Sequence, residues 1–518
     1  MELFFPKTDL RDMTKKEIPF NEINPTLGQF RKLSKKNNLI VLSCKFFSDS
    51  VTPLSVYHNL EKTIKGESFL LESVEGQEKV CRFSFLGFKP MAVFKSKGKR
   101  IYIKDKKARS FVTTKDPCLE LKNLMSSYKV APKENLRFFG GFVGYLGYDA
   151  VRFYEPIGKD LPDSLGTYDS YFILPKFLVI FDHLIKQIEV LSFVNLDNNN
   201  KENVDKVYLR ERKSLVNICK KIISLHRLPD LLFKSSKLKM ESNFKKKDFL
   251  SAIKKAKKYI KEGEIIQTVI SQRFFTNFKD DPFTVYRYLR ILNPSPYMYY
   301  LNFGKTKIAG SSPEMLLRCE HDELITRPIA GTRKRGKDEA EDKRLKKSLL
   351  NDPKEKAEHI MLVDLARNDL GRIAEKTTVN VSTFMDVELF SHVMHIVSEV
   401  RAKLSSKENI FSALISCFPA GTVSGAPKVR AMQIVNELEH EKRGIYAGSV
   451  GYFSFTRSLD TCIIIRTIVF KDNKAYIQAG AGIVADSVPN SEFKETISKA
   501  KAQMLALEFA VASSSKKC

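Results

Sequence analysis

Two short acidic segments far apart in this chain constrain its fold more than any other feature. Glu355 and Glu358 head the stretch A-E-H-I-M-L-V-D-L-A-R-N-D-L-G-R that runs to Arg372, and Glu492 and Glu495 head S-E-F-K-E-T-I-S-K-A. Each continues with apolar residues at helical spacing. Positions three apart share one helix face, so each segment can aim two carboxylates at one spot. Four carboxylates converging on one cleft would repel unless a cation sat among them. An all-oxygen set suits a hard ion such as Mg²⁺, which keeps several waters and takes one or two protein carboxylates. The same residues also fit a simpler reading, two acidic first turns that complement helix dipoles.

Size leaves room for such a convergence. A chain of 518 residues, 43% hydrophobic and 28% charged, predicts a soluble globular body of two or three domains, or one large two-part body. The net charge of +27 raises a rival function, binding to nucleic acid. Its lysines are spread from end to end, however, and no recognisable nucleic-acid module accompanies them. A solvated lysine-rich surface accounts for the charge. The eight cysteines, at 44, 81, 118, 219, 319, 417, 462 and 518, show no C-x-x-C pair and no histidine at zinc spacing, which predicts reduced thiols and a cytoplasmic location. The first residues carry no signal-peptide pattern, and no apolar run reaches the roughly 18 residues of a membrane span.

Along the chain, residues 1–35 read as a polar lead-in with a short helix. Residues 36–230 form an N-terminal domain: a strand from Leu39, a helix over 52–64 with Pro53 in its first turn, then short alternating strands typical of an antiparallel sheet. G-G-F-V-G-Y-L-G-Y (140–148) resembles a nucleotide loop only superficially; its alternation predicts a strand whose glycines allow close backbone packing. A polar loop at 196–205 precedes a basic helix over 207–225. The broken, polar stretch 227–244 marks a boundary, and a second domain follows over 245–512. It opens with an amphipathic helix over 246–262 ended by Gly263, then a strand, a helix over 282–293, and the turn N-P-S-P-Y. The fold class predicted is α+β, two packed sheet-containing subdomains with flanking helices.

Several loops in the second domain join glycine to a reactive or anion-binding group. Glu314 follows a strand and tight turn, where a carboxyl can be held over a cleft. R-P-I-A-G-T-R-K-R-G (327–336) is a basic loop suited to a small anion. In F-P-A-G-T-V-S-G-A-P-K-V-R, Gly425 and Pro427 are expected at a helix start, where free N–H groups favour a carboxylate. Arg466 interrupts an apolar strand and needs a buried partner or an anionic ligand. Gly480 and Gly482 let a ligand approach the backbone. Each reads singly as a turn, a satisfied arginine or a packing glycine. Together they describe a cavity for a small molecule with at least two carboxylates, one beside Mg²⁺ and the others on arginine and backbone amides.

The motifs P-I-A-G-T-R-K-R-G, H-I-M-L-V-D-L-A-R-N-D-L-G-R, H-V-M-H-I-V-S-E-V, F-P-A-G-T-V-S-G-A-P-K, R-G-I-Y-A-G-S-V-G-Y and Q-A-G-A-G-I-V-A-D-S-V-P closely resemble the chorismate-utilising enzymes, and among them the large subunits of anthranilate synthase. The likeness is dense over about 245–510. It implies Mg²⁺ bridging enzyme and chorismate through Glu358 and Glu495, with Glu355 and Glu492 binding through water. It implies chorismate held by Gly331, Thr332, Tyr446, Arg466 and the backbone of Gly480, Ala481 and Gly482, with Gly425 nearby. By the same resemblance Glu314 protonates the departing ring hydroxyl, and His395 serves the later loss of pyruvate.

Two positions separate relatives. Water-adding members have a lysine base where this chain has Gln267, which points to ammonia as the nucleophile. Aminodeoxychorismate synthases, the nearest rival, commonly carry lysine in P-I-K-G-T, where this chain has Ala330. L-L-E-S (70–73) with N-P-S-P-Y-M (293–298) resembles the tryptophan feedback pocket of these subunits, implying Ser73, Pro296, Tyr297 and Met298 as inhibitor contacts; a strand end packed on a proline turn is the plainer account. No G-x-C-x-G nucleophile elbow is present, so ammonia is expected from a separate glutamine amidotransferase subunit or from solution. The resemblance thus implies conversion of chorismate and ammonia to anthranilate and pyruvate, Mg²⁺-dependent and inhibited by tryptophan.

Overall fold

A computed structural model describes residues 22–47, 50–73, 82–105, 109–114, 116–131, 137–196, 203–224, 228–390 and 393–514. Most of the lead-in expected over 1–35, the middle of the polar loop at 196–205 and the C-terminal tail lie outside these residues. The lead-in's short helix is present as Leu27–Ser34, closed by a Thr26–Gln29 capping box.

Two strands organise the architecture. Phe83–Lys97 and Ser170–Asp182 run antiparallel along nearly their whole lengths, from Phe83 opposite Asp182 to Ser96 opposite Ser170, with a register shift after Pro90, which faces Pro175. Proline cannot donate to a ladder, and inside a sheet it is tolerated at bulges and corners. On either side of this proline pair the two strands acquire different neighbours. Before it, Phe83–Lys97 pairs with Ser68–Glu72, and Ser170–Asp182 pairs with Gln187–Asn195. Beyond it, the same strands pair with Arg100–Lys104 and Gly141–Leu146.

Two leaves result. One continues from Ser68–Glu72 through Tyr297–Phe303, Thr306–Ser312, Thr467–Lys471 and Lys474–Ile483 to Gln267–Asn277. The other continues from Gly141–Leu146 through Ser449–Ser454, Leu459–Ile463, Met315–Glu320 and Glu323–Thr326 to Val393–Lys403, which also pairs with Ile329–Lys334 and Asn380–Leu389. Each leaf therefore mixes strands from before and after the 227–244 stretch. The fold is α+β, with two packed sheets and helices outside both.

The core follows this layering. Phe69, Leu301, Ile308 and Val469 of the first leaf meet Val143, Tyr145, Val450 and Cys462 of the second in the space between. The outer face of the first leaf buries Tyr57, Leu215, Leu289 and Leu507 from covering helices. The outer face of the second buries Leu121, Val363, Leu370 and Leu414. Each fully buried side chain of this size contributes about 1.5–3 kcal/mol, so strand pairing across the chain is held from three sides.

The helices expected from periodicity are found at Pro53–Thr63, Val204–Ile223, Lys246–Lys261 and Pro282–Leu292. Among the described residues no helix is long and apolar enough to cross a membrane. Cysteines 44, 118, 219, 319, 417 and 462 are free and buried.

Candidate active site

Two helices bring the acidic segments to one cavity. Pro353–Gly371 starts on Asp352, whose carboxylate accepts from the backbone N–H groups of Lys354 and Glu355. Pro489–Ser514 runs for 26 residues across the other side. Glu355, Glu358, Glu492 and Glu495 all line one cavity of about 490 Å³. Like-charge repulsion is felt within each pair. Burial and then Glu358 raise the Glu355 carboxyl above its ordinary range, and burial and Glu495 raise that of Glu492. Cations sit close by: Arg333 lies 3.4 Å from Glu355, and the Lys499 ammonium lies 2.7 Å from Glu495 while donating to the Gly480 carbonyl.

The cavity's floor comes from both leaves. Gln267 opens a strand of the first leaf, donates through Nε2 to Glu358 at 3.3 Å, and leaves its buried Oε1 without a protein partner. Gly480 and Gly482 face the cavity from the adjacent strand, whereas the Ala481 side chain turns to the opposite face among apolar residues. Gly425 does not line the cavity. Gly425 and Ala426 make a two-residue strand paired with Thr268 and Gln267, and the expected helix begins just after them at Lys428, with Pro427 at its N-cap. A Cβ on Gly425 would come 2.2 Å from the Gln267 carbonyl, so this glycine lets the backbone close under Gln267 rather than meeting a ligand.

The second leaf supplies Gly331, Thr332 and His395. His395 Nδ1 lies 2.8 Å from the Gly331 carbonyl and 3.1 Å from the Thr332 hydroxyl. A carbonyl only accepts, so Nδ1 carries the proton and Nε2 of the neutral ring keeps a free lone pair. Burial lowers the pKa of this ring, which favours that neutral form.

Glu314 and Arg466 complete the wall. Burial pushes the Glu314 carboxyl up to about 7, while the Thr422 hydroxyl, Lys499 and Arg466 pull the other way. Arg466 is held at φ +51°, a left-handed conformation rare for a non-glycine residue. Burial lowers its pKa, and among the described residues its guanidinium forms no ion pair. Tyr446 stands beside it, its phenol pushed up to about 12 by burial. The arrangement can hold a dianionic ring compound between a cationic and a metal-ready acidic wall, donate a proton from Glu314, and accept one at His395.

Lys499, Gln503, Thr422 and Lys354 also line the cavity. Sequence reasoning missed them, although Glu492, Glu495, Lys499 and Gln503 follow one another at helical spacing on a single face.

Ser73, Pro296, Tyr297 and Met298 come together in a second, smaller cavity, joined by Phe83, Phe85, Arg137, Arg318, Tyr452 and Asp460. Arg318 and Tyr297 both hydrogen-bond Asp460, so one rim is an ion-pair network, while aromatic and aliphatic side chains share the remainder.

Residues 66–505 match the family model described as chorismate binding enzyme. Anthranilate synthase component 1 of Aquifex aeolicus (strain VF5) is 47% identical over 498 residues, covering 94% of this chain and 98% of that protein. The protein of that name from Bacillus subtilis (strain 168) is 39% identical, with 93% and 95% covered. Among solved structures, anthranilate synthase component I from Streptococcus pneumoniae TIGR4 superposes with a TM-score of 0.73 at 37% identity, covering 88% of this chain and 98% of that one. The isochorismate synthase MenF of Escherichia coli, 19% identical with a TM-score of 0.69, shares the fold. The chain belongs to the chorismate-binding enzyme family and, within it, groups with the anthranilate synthase component 1 relatives.

Proposed function

We propose that the chain converts chorismate and ammonia to anthranilate and pyruvate. One observation carries this reading: among the described residues the half-buried Arg466 guanidinium forms no ion pair, and it lines the same cavity as the four glutamates. A half-buried cation that forms no ion pair is suited to an anionic ligand. A second carboxylate can approach the glutamates only with a cation between.

The glutamates fit that cation. Their donors are all oxygen, and each pair repels itself. Such oxygen donors suit Mg²⁺, an ion that keeps waters and takes one or two protein carboxylates. Glu358 and Glu495 would hold Mg²⁺, with Glu355 and Glu492 acting through water. When bound, Mg²⁺ supplies charge neutralisation of the ring carboxylate.

The chain's own groups do the rest. Arg466, Tyr446 and the Gly480 backbone bind the enolpyruvyl carboxylate, and Gly331 and Thr332 orient the ring. Glu314, protonated near neutral pH, gives its proton to the C4 hydroxyl as it leaves and ammonia attacks C2. Gln267 offers no basic amine to activate water, which favours ammonia. His395 Nε2 accepts the proton released from C2 as pyruvate departs, restoring the aromatic ring. With no G-x-C-x-G elbow in the sequence, ammonia comes from a separate glutamine amidotransferase subunit or from solution. The second cavity, aromatic on one side and charged on the other, suits tryptophan as a feedback inhibitor held by Ser73, Pro296, Tyr297 and Met298. The reaction belongs in the cytoplasm.

The test is anthranilate fluorescence from purified chain, chorismate, Mg²⁺ and ammonium salt, with and without tryptophan. Turnover that tryptophan suppresses is expected; no turnover of chorismate overturns the reading. An aminated product retaining its pyruvyl arm, seen by mass analysis, would assign the chain to the aminodeoxychorismate synthase reaction instead.

A further inference from the structure

Gln503 is fully buried on the helix Pro489–Ser514, yet neither its Nε2 nor its Oε1 has a hydrogen-bond partner in the protein. Buried side-chain amides are normally paired, because an unmet donor or acceptor forfeits its hydration for nothing in return. The surroundings do not explain it: Ala500, Ala506 and Leu507 on the same helix pack into an apolar cluster with Ile477 and Ala479. An apolar side chain would suit that cluster better. What distinguishes Gln503 is that it also lines the 490 Å³ cavity, alongside Ile477, Gln478 and Ala479.

Its place in the cavity is defined by the elements around it. Lys499, one helical turn earlier, reaches the Gly480 carbonyl, so Gln503 lies farther along the same strand, toward Ile477. Ile477 pairs with Ile468, two residues beyond Arg466. Gln503 thus occupies the Arg466 end of the cavity, one and two turns beyond Lys499 and Glu495 on the same face.

The geometry points to Gln503 as a further specificity-determining residue: its Nε2 donates to the carboxylate on the substrate's side arm, beside Arg466, and its Oε1 accepts from Lys499. This rests on the reading that the ligand carries two carboxylates, one at each end of the cavity. A carboxylate offers only acceptors, so the amide is useful to it through nitrogen alone. Lys499, i−4 on the helix, has three N–H donors, so it can serve Glu495, the Gly480 carbonyl and this oxygen together.

The test compares two probes by titration calorimetry on the full chain with Mg²⁺: benzoate, which has only a ring carboxylate, and 3-(carboxymethoxy)benzoate, which adds an acidic ether arm. Gln503→Met keeps length and removes both polar atoms; Gln503→Glu keeps an acceptor and loses the donor. Gln503→Met is expected to weaken the dicarboxylate about tenfold or more, the scale of one hydrogen bond to a charged group. Benzoate should change less than about twofold, and Tm should not fall, because an unmet amide has been removed. Gln503→Glu should weaken the dicarboxylate further through like charge. Equal effects on both probes, no effect on either, or wild-type protein that does not prefer the dicarboxylate each overturn the assignment. A fall in Tm with both affinities intact would mark the amide as structural. Wild-type protein that shows the preference but makes no anthranilate would sink the proposed reaction while leaving the role of Gln503 standing.

Discussion

Glu314 and Arg466 occupy corresponding points in the fold: each lies where the chain leaves one leaf and enters the other. Glu314 stands between Thr306–Ser312 of the first leaf and Met315–Glu320 of the second, and Arg466 between Leu459–Ile463 and Thr467–Lys471. The crossings brace each other. Ile463 N–H donates to the Glu314 carbonyl at 3.1 Å, and Ser311 N–H donates to the Arg466 carbonyl at 3.3 Å. Strand pairing must break at such a crossing, which frees a side chain to face the cavity while neighbouring ladders hold its backbone. The left-handed backbone of Arg466, a strain on the order of 1–3 kcal/mol, is tolerated for the same reason.

The first prediction follows from the Glu314 carboxyl, raised by burial to about 7. Only its protonated form can donate, so kcat should fall as pH rises through about 7. Glu314→Gln should lower kcat by about 10²–10⁴-fold and flatten that alkaline limb. A pH–rate profile of both proteins checks it, and an unchanged limb in the variant would count against Glu314 as the acid.

His395 should act at the second stage. Its Nδ1 proton is committed to the Gly331 carbonyl, so replacing the ring with glutamine removes the base without altering Glu314. His395→Gln should slow pyruvate release by about 10²–10⁴-fold, and an aminated intermediate should accumulate, visible by mass analysis of the quenched reaction. Because burial lowers the folded pKa, the neutral ring's contribution to stability is present above the unfolded value of about 6.5 and is lost on acidification below it.

Removing divalent metal with EDTA should abolish turnover, and Mg²⁺ should restore it. Glu355→Gln and Glu492→Gln should raise the half-saturating Mg²⁺ concentration by about 10–100-fold, the scale of outer-shell losses. Glu358→Gln and Glu495→Gln should cost more. Equal Mg²⁺ dependence in all four variants would remove the acidic wall from the metal site.

In the second cavity, Met298 is 1% exposed. Met298→Ala should raise the tryptophan concentration for half inhibition, and should cost about 2–5 kcal/mol in stability as a buried large-to-small change. Tryptophan titration and chemical denaturation measure the two effects separately.

Arg443 tests the frame behind the site. It is 1% exposed, pairs with Glu439, and donates to the Val423 and Val269 carbonyls at 2.6 Å each. Both valines line the larger cavity. Arg443→Met leaves Glu439 buried without its cation, a loss of about 3–5 kcal/mol. Thermal unfolding should show it as a lower Tm, and Glu439→Gln in the same background should recover part of it.

Local order was legible residue by residue. Thr52 and Pro53 announce a helix, Gly263 ends one, and the glutamates three apart predict a shared face, because caps, turns and helical spacing depend on neighbours in sequence. The likeness to known motifs named part of the cavity wall in advance, among it Gly331, Thr332, Gly480 and Gly482. Pro427 does stand at the N-cap of the helix Lys428–Leu438, but Gly425, two residues earlier, is fixed by a strand pairing with the distant Thr268. Lys499 and Gln503 lay in plain view at helical spacing from Glu495, but nothing local says which face of a long helix will be covered by a cavity.

By itself, then, the amino-acid order determined the elements, the acidic pairs and the chemistry that their residue types permit. Only the tertiary structure decided that strands from both halves interleave in two leaves, that Glu314 and Arg466 fall at the crossings between them, and that a buried amide at Gln503 is left without a partner. Those outcomes depend on pairings between residues hundreds of positions apart and on which polar groups close packing leaves unmet. Both are properties of the assembled core, carried by no single stretch of sequence.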